Sequence, residues 1–549
     1  MLPIFLFIVV YIFKIIVLGK IFYLDDSESF IKIAINDGYF IILSISLLLL
    51  SFKTKKPVFY LLRCCSFILF LLYIVDFILI FSLQTRLYAD DVFKFLFELN
   101  EVLISKVEVI GLIVVIVCIA IVFARFNKKE VNSKAYVLLL AMFILLFIYD
   151  DFKISGREVF FDNFIESNRN VTYKKSYSNE FIDNFSYSSK INRKSINSSK
   201  PDNIYVFFVE SWSNYQSLEF GGAFDWTPRL DQLARSNIKL SNFYANGFST
   251  EMGLYATLIG IQPILYKQNV ALDGGMGLLT LNNRNSQVKK IKEFGYRTSF
   301  ITSGNTDFLQ KKDWLELIGF ENIIGSESFS KNTPRYLFNS VSDKVLFDYF
   351  KSWDIENSDI SKFVVIENVS THAPYYIPSD NGVVRSEEKA FRYTDEELAN
   401  LLIKLSDSSD NNLIIVISDH RAMSPLTRDE INRDGIFASS KVPGFVIWNK
   451  YNKNIEKNFQ QSDILNSILS LLSGEVVYSD IQGSLFPLVT PSPAKCITYQ
   501  RGDNRSLVSV KCEDESFLVR SNGDNTSTIN EVKSLPVDVV NYLRLYQSN

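Results

Sequence analysis

Histidine is scarce in this chain: its 549 residues include only two, His372 and His420. Imidazole is a common metal ligand and general acid or base, so a site built from three or four histidines is excluded. Only five cysteines are present, and their spacing forms neither a zinc ribbon nor a CxxC redox motif. The chain also lacks internal repeats and a glycine-rich nucleotide-binding fingerprint, and we expect no nucleic-acid partner.

Net charge is also small, at −3, whereas 48% of the residues are hydrophobic. The apolar residues are concentrated in the first 150 positions, in runs that approach the length needed to cross a bilayer. A cleaved signal peptide is the alternative for the first run, but Lys14 interrupts it and four more runs follow. We therefore predict five membrane spans, at 1–23, 38–52, 57–84, 108–125 and 134–149.

The loops between these runs predict an orientation. The loops after the second and fourth runs contain KTKK and RFNKKEVNSK, whereas those after the first and third are acidic or mixed. The positive-inside rule places the basic loops in the cytoplasm, and an odd number of spans then exports everything after about residue 150. Cys496 and Cys512 lie in this exported part, where an oxidising compartment would allow a local disulfide.

The remaining chain divides by composition. Residues 151–200 are rich in Ser, Asn, Lys and Tyr and are interpreted as a linker. From about 201 to 490, short apolar runs alternate with helical patterns, which predicts an α/β domain with a predominantly parallel sheet. The predicted strands are 203–209, 296–301, 362–367, 412–418 and 443–448, with helices at 227–236 and 287–295. Residues 491–549 are predicted to form a small β-rich C-terminal part.

Polar residues that follow the predicted strands are candidates for a site, because functional groups gather at the carboxyl ends of strands in open α/β sheets. Glu210 follows the first strand, Asp419 and His420 follow the fourth, and His372 lies shortly after the third. Singly, each is equally consistent with a helix cap or a turn residue. Together, two carboxylates and an imidazole suit Mn²⁺, Mg²⁺ or Zn²⁺.

A hydroxyl nucleophile is suggested by the segment NGFSTEMG, in which Ser249 and Thr250 precede an apolar helical pattern. A hydroxyl at a helix N-terminus lies where free backbone amides and the helix dipole favour an anion. Without the other motifs, an ordinary N-cap is the favoured interpretation of either residue, and composition does not choose between them.

The motifs VFFVESW, NFYANGFSTEMG, FGYRTSFITSGN, VSTHAPYYIP and ISDHRAMS occur in this order. With the membrane spans, they resemble the membrane-anchored branch of the alkaline phosphatase/sulfatase superfamily, in particular lipoteichoic acid synthases and phosphoglycerol transferases. The resemblance implies a five-helix transmembrane domain at 1–150, a linker at 151–200, a sulfatase-like catalytic domain at 201–490 and a β-rich subdomain at 491–549. It also implies a multi-pass protein of the bacterial inner membrane whose catalytic domain faces the periplasmic or extracellular side.

The resemblance implies a role for each candidate residue. Glu210, Thr250, Asp419 and His420 would bind one divalent metal ion, Mn²⁺ in the first place, with Mg²⁺ or Zn²⁺ as alternatives. Thr250 fits the family's T-x-x-G pattern with Gly253 and would also be the nucleophile, while His372 would bind the phosphoryl group or its leaving oxygen. The reaction implied moves a glycerophosphate headgroup from a phosphatidylglycerol-like phospholipid to an envelope glycan or glycerophosphate polymer, through a phosphothreonine.

The chain departs from the family after Asn305: the family's loop carries a Trp and an Arg that grip glycerol phosphate, whereas here the stretch is TDFLQKKDWLELIGF. Lys311 or Lys312 could replace the Arg as a substrate-binding cation, although lysine lacks its two-pronged geometry, and a solvated basic turn is the alternative. A phosphoethanolamine transferase, a phosphodiester hydrolase and a non-catalytic tethered binding protein therefore remain alternatives. A sulfatase is disfavoured, since no Cys lies in a C/S-x-P-x-R setting.

Overall fold

The structure of the chain is a computed structural model. The structure describes most of the chain between residues 199 and 502 and parts of both ends. The described residues are 2–21, 27–83, 86–89, 117, 120–121, 168, 191–196, 199–263, 278–280, 286–379, 382–409, 411–502, 505, 507–513, 515–521 and 526–528.

Three helices pack together at the N-terminus: α1 (Leu2–Ile21), α2 (Ser27–Ser51) and α3 (Lys56–Leu83). The predicted span at 38–52 covers only the second half of α2, because that helix begins in the more polar segment SESFIKIAINDG. Among the described residues, one stretch, Lys56–Phe81, is long and apolar enough to cross a membrane, and two shorter apolar helical stretches are Pro3–Gly19 and Phe40–Ser51. The five-span domain is thus not confirmed, and the predicted spans at 108–125 and 134–149 lie almost entirely outside the described residues.

An eight-stranded sheet forms the centre of the α/β part, in the order β11-β3-β10-β9-β2-β6-β4-β5. Strand β10 runs antiparallel to both of its neighbours, and the other described pairings are parallel, so the predominantly parallel sheet is confirmed. The bounds are β2 (Ile204–Val209), β3 (Ile238–Tyr244), β4 (Arg297–Thr302), β5 (Asn322–Ile324), β6 (Lys362–Glu367), β9 (Leu413–Ser418), β10 (Gly444–Ile447) and β11 (Lys453–Gln460).

All five predicted strands belong to this sheet, as β2, β4, β6, β9 and β10. The central strands β2, β6 and β9 are buried along their whole length, which explains why their sequences are apolar apart from Lys362, Glu367 and Ser418 at strand ends. Strands β3, β5 and β11 were not predicted. Their sequences, IKLSNFY, NII and KNIEKNFQ, carry polar residues or are very short, so they lack that apolar signature.

Helices cover both faces of the sheet. Alternate residues of β2 point into two separate hydrophobic cores: Val206 lies in one with Leu258 and Leu465, and Phe207 lies in the other with Leu230 and Phe350. Both predicted helices are present, as α4 and α6. The described helices are α4 (Pro228–Ser236), α5 (Thr250–Ile259), α6 (Gln287–Glu293), α7 (Lys311–Ile318), α8 (Asp343–Glu356), α9 (Glu387–Ser408), α10 (Arg428–Asp434) and α11 (Ile464–Ser473).

Smaller sheets complete the fold. A C-terminal antiparallel sheet contains β13 (Cys496–Gln500), β14 (Leu507–Cys512), β15 (Glu515–Ser521) and β16 (Thr526–Thr528). Cys496 lies opposite Cys512 in this sheet, and the two form the disulfide expected from the sequence. Hairpin strands β7 (Tyr376–Ser379) and β8 (Gly382–Arg385) pair together, and β1 (Asn192–Ser195), within the predicted linker, pairs with β12 (Glu475–Tyr478).

Candidate metal and nucleophile site

The central strands and one helix bring the predicted ligands together. Glu210 directly follows β2, and Asp419 and His420 directly follow the neighbouring strand β9, so their side chains meet at one edge of the sheet. Thr250 is the first residue of α5, with Ser249 as its N-cap. The carboxylates and the imidazole are buried, whereas Thr250 remains partly exposed. A buried set of ligands therefore has one accessible hydroxyl beside it.

The four side chains converge within hydrogen-bonding range. The hydroxyl of Thr250 lies 3.1 Å from Glu210 Oε2 and 3.4 Å from His420 Nε2. The same imidazole nitrogen lies 3.4 Å from Glu210 Oε1 and 3.4 Å from Asp419 Oδ2. One ligand atom from each of Glu210, Asp419 and His420 lies within 4.8 Å of the other two. Such spacing lets all three contact a single ion.

The orientation of these side chains also fits a cation. Asp419 Oδ1 accepts the backbone N–H groups of Ser211 and His420, both at 2.8 Å, whereas the buried Oδ2 accepts no hydrogen bond from the described residues. His420 Nδ1 lies 2.8 Å from the carbonyl oxygen of Arg421, which fixes a proton on Nδ1 and turns Nε2 toward the carboxylates. A buried, orphaned carboxylate oxygen beside an imidazole nitrogen is the donor set of a metal centre.

The charges of the site favour a cation as well. Burial alone would raise the pKa of Glu210, but the nearby imidazoles of His372 and His420 hold that pKa below its usual range. Burial and the negative charge of Glu210 raise the pKa of Asp419. Burial lowers the pKa of His420, but the carboxylates of Asp419 and Glu210 outweigh it and raise this pKa to about 10. Two carboxylates facing one imidazole thus create a negative potential that a positive charge relieves.

Two residues that sequence reasoning missed hold Glu210 in place. The side-chain oxygen of Asn368 accepts the backbone N–H of Glu210 at 2.9 Å, and the hydroxyl of Thr371 donates to the carbonyl oxygen of Glu210 at 2.7 Å. The amide of Asn368 also donates to Asp343 at 2.9 Å, which anchors it to α8. Both residues lie in the loop that contains His372. Thr371 belongs to the motif VSTHAPYYIP and Asn368 directly precedes it, so the motif marked the segment that supports Glu210.

Gln461 was also missed, and it joins the loop of Asp419 and His420, called the metal loop below, to the segment before Thr250. Its side-chain oxygen accepts the backbone N–H of Asn246 at 2.9 Å. Its amide donates to the carbonyl oxygens of Ser418 and Asp419, at 2.9 and 2.6 Å. Gln461 therefore fixes the distance between the two halves of the site.

We predict that Gln461→Leu orphans these buried backbone groups and destabilises the protein by about 3 kcal/mol, since each lost partner costs roughly 1–3 kcal/mol. Thermal unfolding measures this loss. Gln482→Leu is the matched control: it removes one partly buried bond, from its amide to the carbonyl of Gly260, and should cost about 1 kcal/mol. Equal losses for the two variants would show that Gln461 has no special role.

The predicted phosphate-side residues have different settings. His372 is partly exposed, its Nδ1 lies 2.5 Å from the carbonyl oxygen of Ala373, and the ring of Phe338 packs edge-on against it, 4.9 Å between centroids. Lys311 is mostly buried and pairs with Glu367, at 2.6 Å from Oε1. Lys312 is exposed. Their roles in binding substrate stay predictions.

Comparisons with known proteins agree with this architecture. Residues 202–474 match the sulfatase family. An alkaline phosphatase superfamily protein from Vibrio parahaemolyticus has 18% identity and a TM-score of 0.50, over 68% of this chain and 95% of its own. The lipoteichoic acid synthase LtaP from Listeria monocytogenes has 17% identity and a TM-score of 0.49, over 66% and 96%. The phosphoglycerol transferase GacH from Streptococcus pyogenes, in complex with sn-glycerol-1-phosphate, has 16% identity and a TM-score of 0.39, over 55% and 83%.

The α/β part of this chain, residues 202–474, therefore matches the sulfatase family and shares the fold of an alkaline phosphatase superfamily protein. Enzymes of this superfamily use a divalent metal, and the cluster of Glu210, Asp419 and His420 is a candidate site for one. At these identities the solved structures show the fold alone.

Proposed function

We propose that the chain is a membrane-bound phosphotransferase that moves a glycerophosphate headgroup from a phosphatidylglycerol-like lipid to an envelope glycan or glycerophosphate polymer. The observation that carries this proposal is the position of the Thr250 hydroxyl, at the N-terminus of α5 and within 3.4 Å of both Glu210 and His420. A hydroxyl in that position is suited to attack a phosphorus atom whose oxygens face the helix N-terminus.

The chemistry follows from the residues. Thr250 Oγ1 donates to Glu210, which draws its proton away from the attacking lone pair. The new Thr250 O–P bond replaces the bond from phosphorus to the diacylglycerol oxygen, and in this proposal His372 gives that leaving oxygen a proton. An acceptor hydroxyl then attacks the phosphorus and releases Thr250. A divalent metal held by Glu210, Thr250, Asp419 and His420 would lower the charge on the phosphoryl oxygens and the pKa of the hydroxyl.

A membrane location is supported by the way the N-terminal helices distribute their side chains. Large apolar side chains point outward, including Phe13 and Phe81, which are 57% and 54% exposed. Charged side chains point inward, including Lys14 and Asp76, which are both 0% exposed. Helices that are apolar outside and polar inside suit a lipid environment and are unsuited to water. We propose a multi-pass bacterial inner-membrane protein with the five predicted spans.

Export of the α/β part is supported by the Cys496–Cys512 disulfide, since such bonds persist in oxidising compartments. Lys311 is paired with Glu367, so its charge does not favour glycerophosphate over another headgroup. Phosphoethanolamine transfer and phosphodiester hydrolysis by the same nucleophile are the alternatives, and a non-catalytic binding protein is a third.

We predict that the full chain, purified in detergent and incubated with phosphatidylglycerol, gains a glycerophosphate adduct on Thr250 after acid quenching. Peptide mass spectrometry locates the adduct, and a parallel incubation with phosphatidylethanolamine tests the alternative headgroup. Thr250→Ala should gain no adduct, while the matched control Ser249→Ala should gain it as the wild type does. An adduct on Thr250→Ala would show that the nucleophile is another residue, and no adduct with either lipid would contradict transfer.

A further inference from the structure

The short segment 86–89, which follows α3, is tied firmly to the N-terminal helices. Asp76 of α3 accepts hydrogen bonds from Arg86 at 2.7 Å, from the backbone N–H of Leu87 at 2.9 Å and from Lys14 of α1 at 3.1 Å. Lys14 also pairs with Asp37 of α2 at 3.0 Å. These buried charges join all three helices, and breaking one partner of such a network leaves a buried charge unpaired. The segment is thus a rigid extension of the helical bundle.

Tyr88, at the centre of this segment, contacts the C-terminal part of the chain. The Tyr88 hydroxyl accepts the backbone N–H of Arg505 at 3.0 Å. The guanidinium of Arg505 lies over the Tyr88 ring, 4.1 Å from its centroid, and also 5.2 Å from the centroid of Phe248. A guanidinium between two aromatic rings is stabilised by cation–π attraction to both. Arg505 therefore links the helical bundle to Phe248.

Phe248 lies two residues before Thr250 and is held against the C-terminal sheet. A Cβ atom on Gly502 would lie 2.6 Å from the ring of Phe248, so the ring packs directly on backbone. Nearby, the backbone N–H of Gln500 donates to the carbonyl oxygen of Asn246 at 2.8 Å. The C-terminal sheet thus sets the position of the segment that ends in the nucleophile.

We propose that Tyr88 and Arg505 are positioning residues that hold Thr250 at a fixed height above the membrane helices, so that it reaches the phosphate of a lipid within the bilayer. This inference rests on the proposed function, because it requires a lipid donor and a membrane-embedded bundle. The two residues touch neither the candidate metal ligands nor Thr250 in any contact described above. They act through Phe248 and the segment that follows it.

The geometry of the donor explains why such a bridge is needed. The phosphate of a bilayer lipid stays at one depth, so an enzyme fixed in the same bilayer reaches it only if its nucleophile lies at the matching height. A displacement of about 1 Å at the reacting atoms can cost on the order of 100-fold in rate. A short-chain lipid dissolved in water approaches the site from solution and does not depend on that height.

The test compares two donors with the same headgroup, using the full chain reconstituted in phosphatidylcholine vesicles. One donor is dioleoylphosphatidylglycerol in the vesicles, and the other is dibutyroylphosphatidylglycerol added as a monomer in water. We expect Tyr88→Ala and Arg505→Ala to slow release of diacylglycerol from the bilayer donor about tenfold or more, and to change the rate with the soluble donor by less than about twofold. The double variant should be no slower than either single variant, because both remove one bridge.

Lys511→Ala is the matched control, since it removes a cation of the same C-terminal sheet that lies over Tyr244 of β3. It should leave the ratio of the two rates unchanged. Tyr88→Phe removes only the hydroxyl that accepts the backbone N–H of Arg505, so it tests the bridge without leaving a cavity. The inference would be overturned if Tyr88→Phe and the alanine variants were slowed equally with both donors. It would also be overturned if these variants kept the wild-type rates with both donors. A wild type inactive on both donors would instead overturn the proposed function.

Discussion

His420→Ala is expected to weaken both metal binding and transfer strongly, whereas His372→Ala should weaken transfer strongly and leave metal binding intact. The difference arises from position. The Nε2 atom of His420 lies 3.4 Å from a carboxylate oxygen of Glu210 and of Asp419, at the centre of the candidate ligand set. His372 lies in the loop after β6, partly exposed, with its Nδ1 turned to the carbonyl of Ala373.

The size of each effect follows from the group that is lost. Even partners that only orient metal ligands contribute about 10–100-fold to affinity, so loss of the His420 ligand itself should weaken binding by about 100-fold or more. Loss of a single donor to a developing oxyanion costs about 10²–10³-fold in turnover, which we expect for His372→Ala.

Calorimetric titration with Mn²⁺ measures the first effect, and diacylglycerol release from phosphatidylglycerol measures the second. Titrations with Mg²⁺ and Zn²⁺ in the same protein would identify the preferred metal. Asp419→Asn is a useful companion, because an amide preserves the shape but offers a weaker ligand in place of the orphaned Oδ2. Metal binding that survives His420→Ala and Asp419→Asn would place the ion elsewhere.

Much of the site could be predicted because parallel strands bring their carboxyl ends to one edge. Glu210 and Asp419 are 209 positions apart in the sequence, yet Val209 and Ser418, the residues before them, are directly paired in neighbouring strands. The apolar runs of β2 and β9 were long enough to identify as buried strands, so the residues that follow them could be placed without knowing the rest of the fold.

The supports of the site could not be predicted in this way. Asn246, Gln461 and Asn368 act through hydrogen bonds between side chains and distant backbone, and no periodic pattern marks such pairs. Strand β11, which leads to Gln461, was missed because only part of its sequence, KNIEKNFQ, is buried. The C-terminal sheet holds the segment before Thr250 through contacts between residues about 250 positions apart, such as Asn246 with Thr498. These contacts could not be predicted from the sequence either.

The choice of Thr250 over Ser249 came only from resemblance, through the spacing to Gly253, and the structure gives that spacing a physical cause. Gly253 lies one helical turn after Thr250, on the face of α5 that packs against the metal loop. A Cβ atom at this position would lie 2.1 Å from the carbonyl oxygen of Asp419. The same oxygen is held from another direction by the amide of Gln461, at 2.6 Å, so it has little room to move.

Gly253→Ala is therefore expected to separate α5 from the metal loop, shifting Thr250 away from Glu210 and destabilising the protein by about 3 kcal/mol through overpacking. Differential scanning calorimetry measures the loss of stability, and manganese titration and transfer assays should both show weakening.

Gly295→Ala is the matched control: its φ of +93° makes alanine strained by roughly 1–2 kcal/mol, but nothing lies within 4 Å of the added Cβ. Gly295 precedes β4, at the opposite edge of the sheet from the site, so this control should lose stability and keep its metal affinity. If Gly253→Ala kept wild-type metal affinity and transfer despite such a loss, the close packing of α5 on Asp419 would serve stability alone.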